Sequence, residues 1–362
     1  MPAERRLKTL DEFTVADLEG IRLLLGGGSV IDWYRLNFRD DEEIRGFVRS
    51  LELDLDDPVD RARAEAVKHA AISYLRRHFD FPIPKPVANE DLIGLVRLAG
   101  TKGHRQLCAC TILKVMHIIH HLEARELLFM LPVSDEEVFH LVEQKVYRIV
   151  GSALAAGFPI VEFIGGRKNK DSLYTKLLSK KEVSAANIYD KLRFRIVTKS
   201  PDDLFPMLAF LQREVFPFNF AIPGQTTNTL VHFGAYCDTH RHLKKLRGKL
   251  QTDPSDVEGG GALDNRFTAP SYRVVHFVVD LPVRLPERIF AEAPPSAWAL
   301  GRVIFVQAEF QILDRQTDEG NEVGDASHDA YKERQKLAVM RRLQVGHLSR
   351  PAPAAPESDE DE

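Results

Sequence analysis

Residues 306–313 read VQAEFQIL, with Gln307, Glu309 and Gln311 at every second position between Val306, Ala308, Phe310 and Ile312. A strand sends successive side chains to opposite faces, so one face of this segment would carry a carboxylate flanked by two amides. In DKLRFRIV, Arg193 and Arg195 share one face, Leu192, Phe194 and Ile196 share the other, and Asp190 stands at the entry. In SYRVVHFVV, Tyr272 and His276 are four residues apart and point the same way. Upstream, GRKNKDSLYTK spaces Lys168, Ser172 and Lys176 four apart, which puts Ser172 and Lys176 on one face of a helix starting near residue 171. Arginines and lysines bind phosphates, and the carboxylate pair Asp190 and Glu309 suits the Mg²⁺ that accompanies them. Taken singly, each stripe reads as the solvated face of an amphipathic antiparallel sheet. Three such stripes beside a Lys- and Ser-bearing helix favour a site.

The elements that must position these residues belong to an α+β chain. Residues 1–135 read as a helical region. TVADLEGIRLLL follows the cap Thr14, Pro58 opens a long helical pattern, and HRQLCACTILKVMHIIHHLEARELLFML reads as a buried helix. Ser134 and Glu137 form a capping-box pattern. The texture changes near Gly157, where strands and helices alternate and imply a mixed β-sheet flanked by helices over residues 136–345. An irregular, Gly-rich insertion is expected near 219–269, including EGGGALDN, and a disordered acidic tail at 346–362.

The 362 residues, 44% hydrophobic and 28% charged, suit a soluble globular chain of two parts. The net charge of -4 is carried by the terminal ESDEDE, so the body is near neutral. Stable DNA binding through a broad basic surface is not expected. The N-terminus has no apolar signal core, no apolar run is expected to span a membrane, and the three cysteines do not suggest a disulfide framework. A cytoplasmic setting is expected.

His117 and His121 share a helix face as a candidate metal pair, but in so apolar a helix they read better as packed side chains. His232, Cys237, His240 and His242 offer four ligand types whose spacing fits no standard zinc finger. The basic run HRHLKKLRGK reads as a solvated helix face, with an RNA contact as its functional alternative.

The order of these motifs resembles the synthetase domain of the RelA/SpoT family, which builds guanosine alarmones. The family pattern R-x-K-x-x-x-S-x-x-x-K is met by Lys168, Ser172 and Lys176, with Arg167 displaced by one place. An Asp five residues before an Arg matches Asp190 and Arg195. SYRVVH matches in part a G-Y-[QR]-S-x-H motif through Tyr272, Arg273 and His276. EFQI matches E-[IV]-Q-[IVL] through Glu309 and Gln311, and HDAYK matches H-x-x-Y-K through His328, Tyr331 and Lys332. The resemblance covers residues 136–340 roughly, and its motifs fall in one order on the expected elements.

It implies an Mg²⁺-dependent transfer of the β,γ-diphosphate of ATP to a ribose 3′-hydroxyl, with GDP or GTP as the family acceptor. Asp190 and Glu309 would hold Mg²⁺, and Glu309 would help deprotonate the hydroxyl. Arg167 and Arg195 would clamp the adenine, and Lys168, Ser172 and Lys176 would contact the ATP phosphates. Tyr272 would stack on the acceptor base, with His276 and Gln311 on the acceptor side. The departures lie at that end. Ser271 and Val274 replace a glycine and a serine, Thr268 stands where a basic residue is usual, and Leu313 replaces an arginine. An adenine nucleotide or a tRNA 3′ end therefore stand beside GDP and GTP as acceptors. A catalytically degenerate nucleotide sensor on the same scaffold is the alternative. The N-terminal half lacks the adjacent His-Asp pair of the family's hydrolase domain, so hydrolase activity is not expected.

Overall fold

The computed structural model describes residues 6–27, 33–35, 38–179, 191–250 and 269–348. Asp190, Thr268, the EGGGALDN stretch and all of the acidic tail beyond residue 348 lie outside this set.

The chain opens with helices α1 (Val15–Gly26), α2 (Asp41–Ser50), α3 (Pro58–Phe79), α4 (Lys85–Ala88), α5 (Leu92–Ala99), α6 (His104–Met130) and α7 (Asp135–Ala155). Their starts follow from local chemistry. The Thr14 hydroxyl accepts the Asp17 N–H at 3.2 Å, Pro58 takes the first turn of α3, where its missing N–H costs nothing, and Ser134 exchanges bonds with Glu137. Then come β1 (Ile160–Arg167), α8 (Lys170–Ser179), β2 (Leu192–Thr198) and α9 (Leu204–Glu214). The stretch read as irregular contains β3 (Thr227–Asn228), α10 (Phe233–Thr239) and α11 (Arg241–Arg247). These helices form because Cys237, Leu243 and Leu246 fall at spacings that bury them together in the main core. The chain closes with β4 (Val275–Arg284), α12 (Glu287–Ala291), β5 (Val303–Asp314), α13 (Arg315–Asn321) and α14 (His328–Leu348).

The fold is α+β. Its five-stranded sheet has the order β1-β2-β5-β4-β3, with β2 and β5 parallel and the other pairs antiparallel. Register sorts the side chains. Phe194 lies opposite Phe310, and Phe310 opposite Phe277. These three rings are fully buried, at centroid separations of 5.3 and 5.7 Å, and join a core closed by α7 and α9. The other face carries Arg193 opposite Glu309 and His276 opposite Gln311.

A second hydrophobic cluster holds Ile44, Val48, Val67, Ile72, Leu95 and Ile112 of the N-terminal helices. Helix α1 contributes mainly to the sheet's core instead, through Leu18, Ile21 and Leu24. Helix α6 serves both clusters, with Cys108 to Met116 in one and Leu127 in the other. This double duty makes it long and apolar enough, by length and composition, to cross a membrane, against the expectation that no segment would be. Its Ala109, Ile112 and Leu113 are buried in protein, whereas Ile118, Leu122 and Phe129 are exposed.

Candidate active site

The site grows from Glu309, in the middle of β5. Strand alternation points it away from the Phe310 face, yet it is only 3% exposed. Three neighbours hold its oxygens. Lys168 Nζ lies 3.3 Å from Oε2, the Gln311 amide donates to Oε1 at 2.6 Å, and His276 Nε2 stands 3.4 Å from Oε1. Burial opposes ionisation of this carboxyl, but the charges and hydrogen bonds of Lys168, His276 and Arg193 outweigh it and hold the group well below the usual carboxylate range. Glu309 is therefore an anion held beside Lys168 and Arg193.

Register explains the convergence. The Lys168 N–H donates to the Lys191 carbonyl at 2.9 Å, which carries the β1–β2 pairing one residue past the end of β1. Lys168 thus falls on the side of Gly166 and Arg193. Gly166 takes φ +146°, a conformation other residues rarely adopt, where the chain leaves the strand for α8.

Arg195, one register step along β2, pairs with Asp318 on α13. Its Nε is buried with no hydrogen-bond partner among the described residues. Tyr272 is half-buried close by. Burial pushes its phenol upward, and the positive charges of Arg195 and Arg193 oppose that shift. Tyr272 is thus a neutral ring beside two guanidiniums.

The structure therefore brings together Glu309, Gln311, His276, Lys168, Arg195 and Tyr272. It does not bring Arg167, expected at the nucleotide. Arg167 lies opposite Leu192, on the core side of the sheet, and binds Glu136 and Glu143 of α7 at 3.0 and 3.3 Å. Alternation is the reason: next to Lys168 in sequence, Arg167 must face the other way. Ser172 is exposed on α8 and Lys332 on α14, and no hydrogen bond or ion pair joins either to Glu309 among the described residues. Lys176 and Tyr331 are half-buried on the same two helices, which pack together through Gln335 to Ser179 and Arg342 to the Leu178 carbonyl. His328 opens α14, and its side chain lies outside the described set.

Arg193, Asp318 and Asn321 carry no role that the sequence alone assigned. The alternation of Arg193 with Arg195 was visible, but its place opposite Glu309 depends on parallel pairing with a strand more than a hundred residues away. Asp314 and Thr317 gave a local sign of a helix start, since Asp314 accepts the Thr317 N–H at 3.1 Å. Nothing local showed what that helix touches.

With Asp190 outside the described residues, the expected carboxylate pair is represented by Glu309. A buried, ionised carboxylate is a hard oxygen donor of the kind Mg²⁺ takes, completing its shell with water and phosphate oxygens. The Lys168 ammonium lies 3.3 Å from Oε2, so a metal at that oxygen would have to displace it. Among the described residues, Glu309 is the one carboxylate of the expected pair, and Lys168 stands on its Oε2.

Among the described residues, no group of three or more His, Cys, Asp or Glu is arranged to hold a metal. The candidates in the 232–242 run are dispersed. His232 caps α10 by accepting the Ala235 N–H, Cys237 is buried, His240 faces Asp202, and His242 meets the Phe13 carbonyl at 2.9 Å. His117 and His121 pack against Phe220, and the His121 ring also stacks on Phe305 at 4.4 Å. The basic run on α11 buries Leu243 and Leu246 and pairs Arg247 and Lys244 with Asp238.

No protein-family model and no curated protein matches the sequence. Among solved structures, the chain is similar to small alarmone synthetase 2 from Bacillus subtilis, at 17% identity over 62% of this chain and 95% of that one, with a TM-score of 0.28. It is also similar to small alarmone synthetase 1 from Bacillus subtilis bound to its product pppGpp, at 13% identity over 59% and 89% of the two chains, with a TM-score of 0.30. A GTP pyrophosphokinase family protein from Streptococcus pneumoniae is similar at 13% identity over 58% and 86%, with a TM-score of 0.26.

Proposed function

We propose that the chain transfers the β,γ-diphosphate of ATP to the 3′-hydroxyl of a nucleotide, with GDP or GTP as the first acceptors to try. The observation that carries this reading is the buried Glu309 with Lys168 and His276 at its oxygens and Arg193 opposite, on the sheet face that also presents Arg195. Phosphoryl-type transfer is catalysed by positioning and charge neutralisation, and this face supplies both. Bound Mg²⁺, held by Glu309 with Asp190, would neutralise the phosphate oxygens.

The balance of the reaction is simple. The acceptor oxygen bonds to the β-phosphorus, the bridge between the α- and β-phosphates breaks, AMP leaves, and the hydroxyl proton passes to the Glu309 carboxylate. A carboxylate held so far below its usual range is a weak base. Phosphates that draw Lys168 off Oε2 would raise its basicity, so donor binding would arm the base. Arg195 offers a planar guanidinium for the adenine, and Tyr272 a neutral ring for the acceptor base.

A nucleotide sensor without turnover is the second reading. Leu313, on the same strand face as Glu309 and Gln311, is fully buried, so an apolar residue stands where the resemblance implies an arginine. The assay is direct: purified protein with ATP, Mg²⁺ and GDP or GTP releases AMP, and Glu309→Gln abolishes the release. Nucleotide binding without AMP from any nucleoside or tRNA acceptor, and retained in Glu309→Gln, establishes the sensor instead.

A further inference from the structure

The helix after the catalytic strand touches both arms of the site. α13 begins at Arg315, directly after Asp314 of β5, and its first turn is fixed by two bonds to Asp314: from the Thr317 N–H at 3.1 Å and from the Thr317 hydroxyl at 2.6 Å. Asp318 and Asn321 are three residues apart and so project from one side of this helix. Asp318 forms the ion pair with Arg195. Asn321, only 3% exposed, donates its amide to the Arg273 carbonyl at 2.7 Å and accepts the Arg273 N–H at 3.0 Å.

We propose that Asp318 and Asn321 are positioning residues, through which α13 holds Arg195 and Tyr272 in fixed relation to Glu309. This rests on the diphosphotransferase reading of the same site. The Asp318 bond engages the edge of the Arg195 guanidinium, at Nη2, and does not use its flat face. The Asn321 amide satisfies both backbone groups of the residue next to Tyr272, as a neighbouring strand would. A buried amide with donor and acceptor both used fixes one geometry, because any slip leaves a polar group unpaired in the interior. The Tyr272 N–H donates to the Ala269 carbonyl at 3.0 Å, so the backbone that carries the ring is held on both sides. Donor arm, base and acceptor arm are thus tied to one unbroken strand–helix segment, β5–α13. A small drift between reacting partners is costly in such a transfer, which gives the tie its purpose.

The test is a pair of variants with separate readouts on the full chain, with ATP and GTP varied in turn. Asp318→Asn raises KM for ATP about tenfold while KM for GTP stays within about twofold, and Asn321→Asp, which keeps the acceptor for the Arg273 N–H but loses the donor, does the reverse. Asp318→Glu restores part of the loss. Adding Asp318→Asn to Arg195→Ala produces no further change in KM for ATP, because the first acts only through the second. Additive losses in that double variant, or both KM values rising together with a lowered Tm in each single variant, overturn the positioning roles while leaving the functional reading intact. If the wild type binds both nucleotides without turnover, the enzyme reading fails; the same contrasts are then read in the two Kd values, and the same patterns support or overturn the positioning roles. A wild type that binds no ATP overturns both.

Discussion

Lys168 Nζ lies 3.3 Å from Glu309 Oε2, across 141 residues of sequence. This pair joins the first strand's exit to the centre of the last strand and sets the electrostatics of the site. The ammonium keeps Glu309 ionised within the protein, and it is also the group best placed to leave for a phosphate.

Lys168→Met is therefore expected to weaken the donor side and strengthen the base. KM for ATP rises and kcat/KM falls by about a hundredfold. Without the ammonium, burial acts less opposed and the Glu309 carboxyl moves up toward the ordinary range, so the acid limb of the pH profile of kcat/KM shifts to higher pH. A pH–rate profile of the two proteins checks this, and an unmoved acid limb contradicts it.

Phe310 forms the back of the site. Its ring lies 5.3 Å from Phe194, 5.2 Å from Phe216 and 5.7 Å from Phe277, and all four are fully buried. Phe310→Ala is expected to cost about 3–5 kcal/mol, the usual range for an aromatic truncated in a core. Urea unfolding measures it. A loss under about 1 kcal/mol would mean that the aromatic layer is not packed as described.

Helix α6 crosses the other end of the polar sheet face, where His117, His120 and His121 meet Phe220, Phe305, Asn219 and Asp280, with Arg63 nearby. Burial, with smaller contributions from neighbouring positive groups, lowers His117 and His120 to about 3 each. In the unfolded chain both titrate near the ordinary histidine value of 6.5. Between these values the unfolded state binds more protons, so stability is full above pH 6.5 and falls as the pH drops toward 3, by up to about 1.4 kcal/mol per pH unit for each histidine. His120→Phe removes one of the two. Urea midpoints at pH 7 and pH 5 should differ less in this variant than in the wild type, and an equal difference contradicts the prediction.

Much of this arrangement was legible in the residues. Alternation in DKLRFRIV, SYRVVHFVV and VQAEFQIL named both the aromatic core stripe and the polar face, because a period of two is written locally. Caps at Thr14 and Ser134 were equally local. What was not legible depended on pairing at a distance. The resemblance implies Arg167 at the nucleotide as the arginine of its motif displaced by one place, yet that one residue of offset turns it to the acids of α7. Asp318 and Asn321 show no periodicity of their own, and their partners on β2 and before β4 become neighbours only once β5 lies between those strands. Helix α10 was hidden by its short length, seven residues, while α11 showed only as the helix face of HRHLKKLRGK, and its burial of Leu243 and Leu246 was not legible.

The proposed role of Glu309 is in a diphosphate transfer. The mass of the nucleotide product after incubation of the purified chain with ATP, Mg²⁺ and GTP tests it most directly. The expected product is an acceptor heavier by one diphosphoryl group, formed in step with AMP and absent with Glu309→Gln. An acceptor of unchanged mass with GDP, GTP, adenine nucleotides and tRNA, or a heavier product that persists in Glu309→Gln, contradicts it.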